Sequence, residues 1–482
     1  MPKEQKPDQK GLTAKKKDDF SEWYQQLILK SELADYSEVS GCIIFRPASY
    51  AIWEAIQKAV DQRLKGMGVQ NAYFPLFIPE RLLTKEQEHL AGFTPEVAWV
   101  THVGETKLDE RLAIRPTSEA IMYDSYAKWI RSWRDLPLKI NQWNNVVRWE
   151  FKHAVPFLRT REFLWNEGHT VHASKEEAEA EVLAIIDMYE TILNDYMALY
   201  AVKGRKSKAE TFAGAEYTLS LELLMPNGKA IQGPDAHFDG QKFAKAFNIS
   251  FLDKEEKKQY AWQNTFAITT RMIGVMVAQH SDDKGLVLPP KLAEHKAVII
   301  PIVFKEDKKV LAKANELAEE LHDLNPIVDD RDGYRPGFKF AEWELKGIPL
   351  RIEIGPKDLE NKQAVVVRRD TGEKQFVALK DVKKTAGKLL NGIHANLYSR
   401  SKQLFDESVL DVQTMQEFEQ AINDNKIARV LWCDDHKDEA AIKDKTGAKV
   451  LNMPFAEQDN ISGRCVLTGK PAKAVALFGR SY

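Results

Sequence analysis

Arg148, Arg159 and Arg161 stand close together in the stretch VVRWEFKHAVPFLRTREFLWNEGHT, and Phe163, Trp165, Glu167 and His169 follow at every second position. Side chains two apart on an extended strand share a face. The second group therefore projects together, and on the strand leading in, Arg148 and Glu150 do the same. An indole beside a carboxylate and an imidazole, with arginines at one end, is a surface that holds a polyanion at that end and a small organic ring at the other. An ordinary solvated sheet face would explain any one of these residues, because charged side chains are mostly exposed. It does not explain the whole string. Two further stretches carry residues of the same chemical types: RPTSE with Arg115, Thr117 and Glu119, and TTRMIG with Thr269 and Arg271.

The elements that must position these groups can be read from pattern. VVRW is β-branched and aromatic and predicts a strand. HAVPF predicts a turn or loop, and FLWNEGHT a returning strand. RPTSE reads as a strand end entering a helix, with Thr117 or Ser118 as its N-cap. TTRMIG reads as a strand passing into an apolar helix over Ile273 to Ala278. Upstream, SGCIIFRPASYAIWEAIQKAVDQRLKGMG predicts a short strand and a long helix ended by Gly66 and Gly68. NAYFPLFIPE predicts a strand whose Pro75 confines it to an edge or interface. KEEAEAEVLAIIDMYETILNDYMALY is a long helix with acidic residues at its start, which suits the macrodipole. IQGPDAHFDGQ places Gln232 and His237 in a glycine-containing loop.

At 482 residues the chain is long enough for two to four domains. A composition of 44% hydrophobic and 29% charged residues is that of a globular protein. A net charge of -2 gives the whole molecule no basic field, so any nucleic-acid contact comes from local patches. Three cysteines, Cys42, Cys433 and Cys465, lie too far apart for a disulfide framework and fit a reducing, cytoplasmic location. The longest apolar run, VIIPIVF, is far too short to cross a membrane. Residues 1–19 are lysine-rich, poor in apolar side chains and expected to be a disordered tail. From HKAVIIPIVF to QAVVVRRD, strands alternate with helices, predicting an α/β domain with a largely parallel sheet. After Gly387 a helix is expected through His394 to Phe405.

The residues quoted above resemble the class II aminoacyl-tRNA synthetases, in the prolyl version of the archaeal and eukaryotic type. RWE with RTREFLW and EGHT is similar to their motif 2; the helix followed by the strand with Pro75 is similar to motif 1; Arg271 before an apolar helix is similar to motif 3. The resemblance covers nearly everything from Phe20 onward. It implies an α+β catalytic domain over 20–288, with the class II antiparallel sheet and helices. An α/β anticodon-binding domain over 289–388 and a small α/β C-terminal domain over 389–482 would follow. It implies no cis-editing insertion, because roughly 120 residues separate Arg148 from Arg271.

The function implied is proline activation by ATP, with Mg2+, and transfer of the prolyl group to tRNA. Arg148 would bridge the α-phosphate and the proline carboxylate, and Arg271 would hold the γ-phosphate. Thr117 and Glu119 would receive the imino group, a cation that suits a carboxylate and a hydroxyl. Trp165, Glu167, His169, Phe212 and His237 would shape the proline slot. Glu150 and Phe163 would face adenine, with Arg159 and Thr160 over the nucleotide and Gln232, Asp235 and Thr269 also on the ATP side. Relatives often carry threonine where this chain has Asp235. Arg331, Arg335 and Lys357 are candidate RNA contacts. A homodimer is expected, with neither membrane nor DNA as a partner. Relatives often carry four zinc cysteines in the C-terminal domain; here Cys433 and Cys465 lack their partners, so structural zinc is not expected. Tyr482 would pack back toward the catalytic domain. A sister synthetase for threonine, serine, glycine or histidine is the nearest alternative, and a non-catalytic tRNA-binding paralogue the next.

Overall fold

The computed structural model describes residues 11–89, 96–150, 153–303 and 308–482. Its centre is an antiparallel sheet whose neighbouring strands run Leu138–Val147, Glu162–His172, Trp262–Thr269, Ala230–Gly240 and Tyr217–Leu224. Alternation gives the sheet two different faces. Leu219, Leu221, Leu223, Ile231, Ala236, Phe238, Phe266 and Ile268 point to one side, into a core shared with the helices Phe20–Lys30, Pro47–Gly66, Lys175–Asp195 and Arg271–His280. The opposite side carries the polar residues described below.

The helices begin and end where local chemistry says they should. Asp19 caps the first by accepting from the Glu22 amide at 3.0 Å. Pro47 opens the second, and Gly68, at φ +81°, turns the chain away after it. Ser174 caps Lys175–Asp195, whose first turn carries Glu176 and Glu177. That helix also contributes Glu181, which is 5% exposed. It accepts from His172 at 2.8 Å and Asn264 at 3.0 Å, bonds Thr170, and pairs with Lys139 at 3.1 Å. Burial raises its pKa, but these donors, His172 first, more than reverse that and bring it from 4.5 to about 2. A carboxyl depressed in the fold gives stability that is present above its ordinary value and is lost as pH falls through the folded one. Glu181→Gln is expected to lose about 3 kcal/mol at pH 7. It should also flatten the decline seen between pH 4.5 and 2. Urea melts at pH 7 and pH 3 check both.

The C-terminal strands are not a separate sheet. Val409–Asp411, Ile427–Trp432, Ala474–Gly479 and Lys449–Pro454 continue the central sheet through Val202–Arg205, and Gln70–Asn71 adds to its other edge beside Leu138–Val147, making eleven strands among the described residues. The join pairs Met453 with Arg205 and Pro454 with Gly204. A Cβ on Gly204 would lie 2.4 Å from the Met453 carbonyl oxygen, so glycine permits the approach. Tyr482 lies against the central sheet, its amide donating to Ala230 at 3.0 Å and its hydroxyl accepting from Asn227 at 3.0 Å.

Residues 297–378 form a five-stranded sheet ordered Ile327–Val328, Ala297–Pro301, Leu350–Ile354, Gln363–Arg368, Lys374–Ala378. Only its first two pairings are parallel, so it is more mixed than the alternation of helices and strands predicts. The helix expected after Gly387 starts earlier, at Val382, and runs to Asp406. It crosses the expected 388/389 boundary because Val382, Ala386, Leu389, Leu390, Ile393 and Leu397 pack into this sheet's core.

The tail expectation needs correcting in part. Residues 1–10 lie outside the described residues, but 11–19 are packed down. Lys16 donates its ammonium to the carbonyls of Gln279 (3.0 Å) and Ser281 (2.8 Å), and its amide to Asp283 (2.8 Å). Carbonyl acceptors at the end of a helix, favoured by its dipole, hold the cation that composition alone assigns to solvent. In the C-terminal region Cys433 and Cys465 are buried. Lys470 bonds Asp435 at 3.1 Å and Asp438 at 2.6 Å, and the Cys433 thiol faces Asp438 at 3.4 Å.

Candidate active site

Strand register brings the polar residues into rows. Across four strands, His169, Thr265, His237 and Thr218 stand side by side. Gln142, Glu167, Ala267, Asp235 and Ser220 form the next row. Asn144, Trp165 and Thr269 form the third. Neighbouring strands are about 4.8 Å apart, so each row is a continuous polar strip. Above the rows is a cleft of about 310 Å³.

One end of the cleft is a slot lined by rings and carboxylates. Trp165 donates its indole N–H to Asn144 at 2.6 Å, and Asn144 donates to Glu167 at 2.8 Å. Glu167 also accepts from Gln142 at 3.1 Å, from the Ser118 amide at 3.2 Å and from the Ser118 hydroxyl. Burial pushes the Glu167 carboxyl up; bonds from His169, Ser118 and Asn144 and the His169 charge outweigh it and hold the carboxyl below its ordinary range. Burial lowers His169, and Glu167, Glu119 and Asp239 more than restore it, so the imidazole sits above its ordinary value. Its Nδ1 faces the Tyr123 hydroxyl at 3.1 Å. Opposite, the Phe212 and His237 rings lie 4.7 Å apart. His237 faces Thr218 at 2.8 Å and Asp235 at 3.5 Å; burial lowers its pKa and the Asp235 and Asp239 charges raise it to a net increase. Thr117 donates to Glu119, and both are buried at the entrance of the helix Glu119–Trp129. Ser118 is that helix's N-cap by position, but its side chain serves Glu167 instead. A carboxylate with a hydroxyl beside it, facing aromatic walls, accepts a compact cation with an apolar body.

The other end is positive. Arg148 donates through Nε to the Pro116 carbonyl at 2.9 Å, and its guanidinium lies 5.6 Å from the Phe163 ring and 5.4 Å from that of Trp165. Arg271 is the first residue of the helix Arg271–His280 and donates through Nε to the Leu158 carbonyl at 3.2 Å. Burial, then Arg148 and Arg159, disfavour its charge more than Asp235 and Glu222 support it. Guanidinium groups held together against their own repulsion, beside a helix N-terminus, form a site that an anion completes. Thr160 and Gln232 line the cleft between the two ends.

Fourteen of the sequence-predicted residues line this one cleft: Thr117, Glu119, Arg148, Thr160, Phe163, Trp165, Glu167, His169, Phe212, Gln232, Asp235, His237, Thr269 and Arg271. Glu150 and Arg159 do not; both are exposed. The strand stops at Val147 and the chain turns, so the alternation that pairs Arg148 with Glu150 no longer applies. Arg159 sits on the loop leading back, its charge acting on Arg271 from outside the wall. Gln232 and His237 lie on the strand Ala230–Gly240, not in a loop. Gln142, Asn144, Ser118, Thr218, Thr265 and Asp239 also belong to the site or brace it, outside the residues predicted from sequence. Gln142 and Asn144 carried a signal, polar residues two apart in a strand. The others became visible only once the strand neighbours were known.

Residues 100–280 match the model for the tRNA synthetase class II core domain (G, H, P, S and T), residues 296–389 the anticodon binding domain, and residues 415–482 the prolyl-tRNA synthetase C-terminal domain. A proline–tRNA ligase of Ruminiclostridium cellulolyticum is 48% identical over 466 residues, covering 96% of this chain and 97% of its own. The cytoplasmic proline–tRNA ligase of Arabidopsis thaliana is 46% identical over 98% of this chain and 91% of its own. That of Cenarchaeum symbiosum is 45% identical over 98% and 99%.

Proposed function

Because the chain belongs to the proline–tRNA ligases, a family of class II synthetases, we propose that this cleft joins proline to ATP and then hands the prolyl group to tRNA. The proline carboxylate attacks the α-phosphorus in line; the bond to the bridging oxygen breaks and pyrophosphate leaves, giving prolyl-adenylate. The 3′-hydroxyl of the terminal tRNA adenosine then attacks the prolyl carbonyl and AMP leaves. The attacking carboxylate is already a nucleophile, so the first step needs charge control and alignment more than proton transfer.

The observation that carries this reading is the shared wall. Arg148 stands over Trp165, while Glu167 and His169 continue the same strand into the slot and Arg271 faces it from the adjoining strand's end. Arg148 would bind the α-phosphate and the proline carboxylate together. Arg271 and the helix end behind it would take the γ-phosphate. Thr117 and Glu119 would receive the imino cation between Trp165, Phe212 and His237. Phe163 would stack near adenine, with Thr160, Gln232 and Thr269 at the nucleotide. Glu150 and Arg159 would reach ATP only through a change in their turn and loop. ATP enters as its Mg2+ complex. Asp235, the carboxylate on the wall nearest Arg271, offers the oxygen donors that hard cation prefers.

Exchange of labelled pyrophosphate into ATP, run against each of the twenty amino acids, tests the reading. Proline alone should support strong exchange. Preference for threonine, serine, glycine or histidine, or no exchange at all, would refute it.

The anticodon-type domain offers Arg335 and Lys357, both exposed, to tRNA. Arg331 is instead committed to Asp329 at 2.9 and 2.8 Å and to Glu342 at 2.7 Å. A homodimer is proposed from the exposed apolar set Tyr73, Phe77 and Trp129 around the stretch 71–79, where strand is confined to Asn71 and Phe77–Pro79 and Pro75 lies between them and not inside a strand as expected; a monomeric sedimentation profile would remove it. A cytoplasmic location rests on the Arabidopsis relative's name and the unpaired cysteines. Among the described residues no helix is long and apolar enough to cross a membrane.

A further inference from the structure

Behind the lining of the slot, against Thr265, lies a carboxyl that the reaction above does not use. Asp235, His237 and Asp239 take alternate positions along Ala230–Gly240, whose register against Trp262–Thr269 shifts at Asp239; the bond from Thr265, the cross-strand partner of His237, keeps the Asp239 carboxyl on the cleft side. Asp239 is wholly enclosed. Its Oδ1 accepts from Thr265, itself a cleft wall, at a long 3.5 Å. Its Oδ2 has no hydrogen-bond partner among the described residues. Two residues from Thr265, the enclosed Gln263 side chain likewise leaves both its amide oxygen and nitrogen unpartnered. Buried polar atoms are normally satisfied, and a carboxyl left so poorly solvated needs a cation nearby or a proton on itself.

The groups around Asp239 come from several elements. His237 on its own strand, His169 on the Glu162–His172 strand and Glu119 at the head of the Glu119–Trp129 helix act on it directly; Asp235 faces His237, and Glu167 and Tyr123 face His169. Lys242 gives its ammonium to the Ala215 carbonyl at 2.6 Å, and Glu216 is exposed. Burial pushes the Asp239 carboxyl up; His237 pulls it down, Glu119 pushes it up and His169 pulls it down, leaving it at about 7.

We infer that Asp239 is a positioning residue that adds a negative charge beneath the imino group of proline, behind Glu119. The inference rests on reading the slot as the proline site. The imino group of free proline is a cation throughout the neutral range. A cation settling in the slot favours the ionised carboxylate, so binding releases a proton from the fraction of Asp239 still protonated. Below about 7 the slot has one negative charge fewer behind it, and above it the cation is held more tightly. The KM for proline should therefore fall as pH rises through that region, by about tenfold. The rate at saturating proline should change little through this group. His169 and His237 lose positive charge on the same rise and act in the same direction. The comparison of wild type with variant is therefore the test.

Proline-dependent exchange between about pH 6 and 8.5, with calorimetry of proline binding in two buffers of different ionisation enthalpy, measures both effects. Asp239→Asn should flatten the KM slope and reduce proton release, with kcat at saturating proline held within about twofold. Thr265→Val removes the hydroxyl that donates to Asp239 and should move the inflection to higher pH. A variant D239N that keeps the wild-type slope and proton release, or that loses kcat as much as KM, overturns the inference. An unmoved inflection in T265V does so even where D239N does not fold. Wild type without proline-dependent exchange would instead overturn the proline reading.

Discussion

Arg148→Ala is expected to lower proline-dependent pyrophosphate exchange by about 10²- to 10³-fold, which abolishes it in a routine assay. A fixed donor aimed at developing charge in an enclosed site is worth a few kcal/mol, and Arg148 is held as such a donor would have to be. Its Nε is anchored on the Pro116 carbonyl, and its plane lies against Phe163 and Trp165. Lysine cannot copy that arrangement, because an ammonium has no planar fork. Arg148→Lys should recover only a small part of the loss. Near-normal exchange in Arg148→Ala would refute the assignment of this residue to the reacting centre.

Arg271→Ala is expected to separate function from stability. The fold works against this guanidinium: burial and the charges of Arg148 and Arg159 disfavour it more than Asp235 and Glu222 favour it. Removing it relieves repulsion while breaking one hydrogen bond to the Leu158 carbonyl. The two nearly offset, so the unfolding free energy should stay within about 1 kcal/mol of wild type. The kcat/KM for ATP should nevertheless fall by about 10²- to 10³-fold, because the triphosphate loses the charge that completes its end of the cleft. Denaturant melts and exchange kinetics at varied ATP measure the pair. A variant that is strongly destabilised but turns over ATP normally would make Arg271 a structural residue and remove the triphosphate from this end. Such residues, unfavourable to the fold and needed by a ligand, are where stability and activity trade against each other.

Asp235 shows how far local pattern reaches. Its neighbours Gln232 and His237 read as a loop in sequence because glycine and proline lie between them. In the structure they lie on a strand whose register against Tyr217–Leu224 shifts between Ser220 and Glu222. The Cβ of an alanine at Gly233 would meet the Leu223 side chain at 2.6 Å, so the glycine serves close packing between strands and not a turn. Proline is tolerated because Pro234 falls between the shifted pairings of that ladder. The same residues that mark punctuation in a sequence can thus mark a crowded sheet.

What the sequence determined by itself was everything that depends on neighbours along the chain. Phe163, Trp165, Glu167 and His169 share a face because a strand alternates. Helices start at Asp19, Pro47 and Ser174 because those residues satisfy or tolerate the free amides of a first turn. Tertiary structure alone decided which strands are adjacent and where each ends. It stopped one strand at Val147, which turned Glu150 outward, and seated Lys16 on the end of a distant helix. It also fused the C-terminal strands to the central sheet at Gly204 and closed Asp239 beneath the slot. Periodicity is a property of consecutive residues, whereas register, burial and the field at a buried charge are sums over groups far apart in the chain. No local pattern contains those sums.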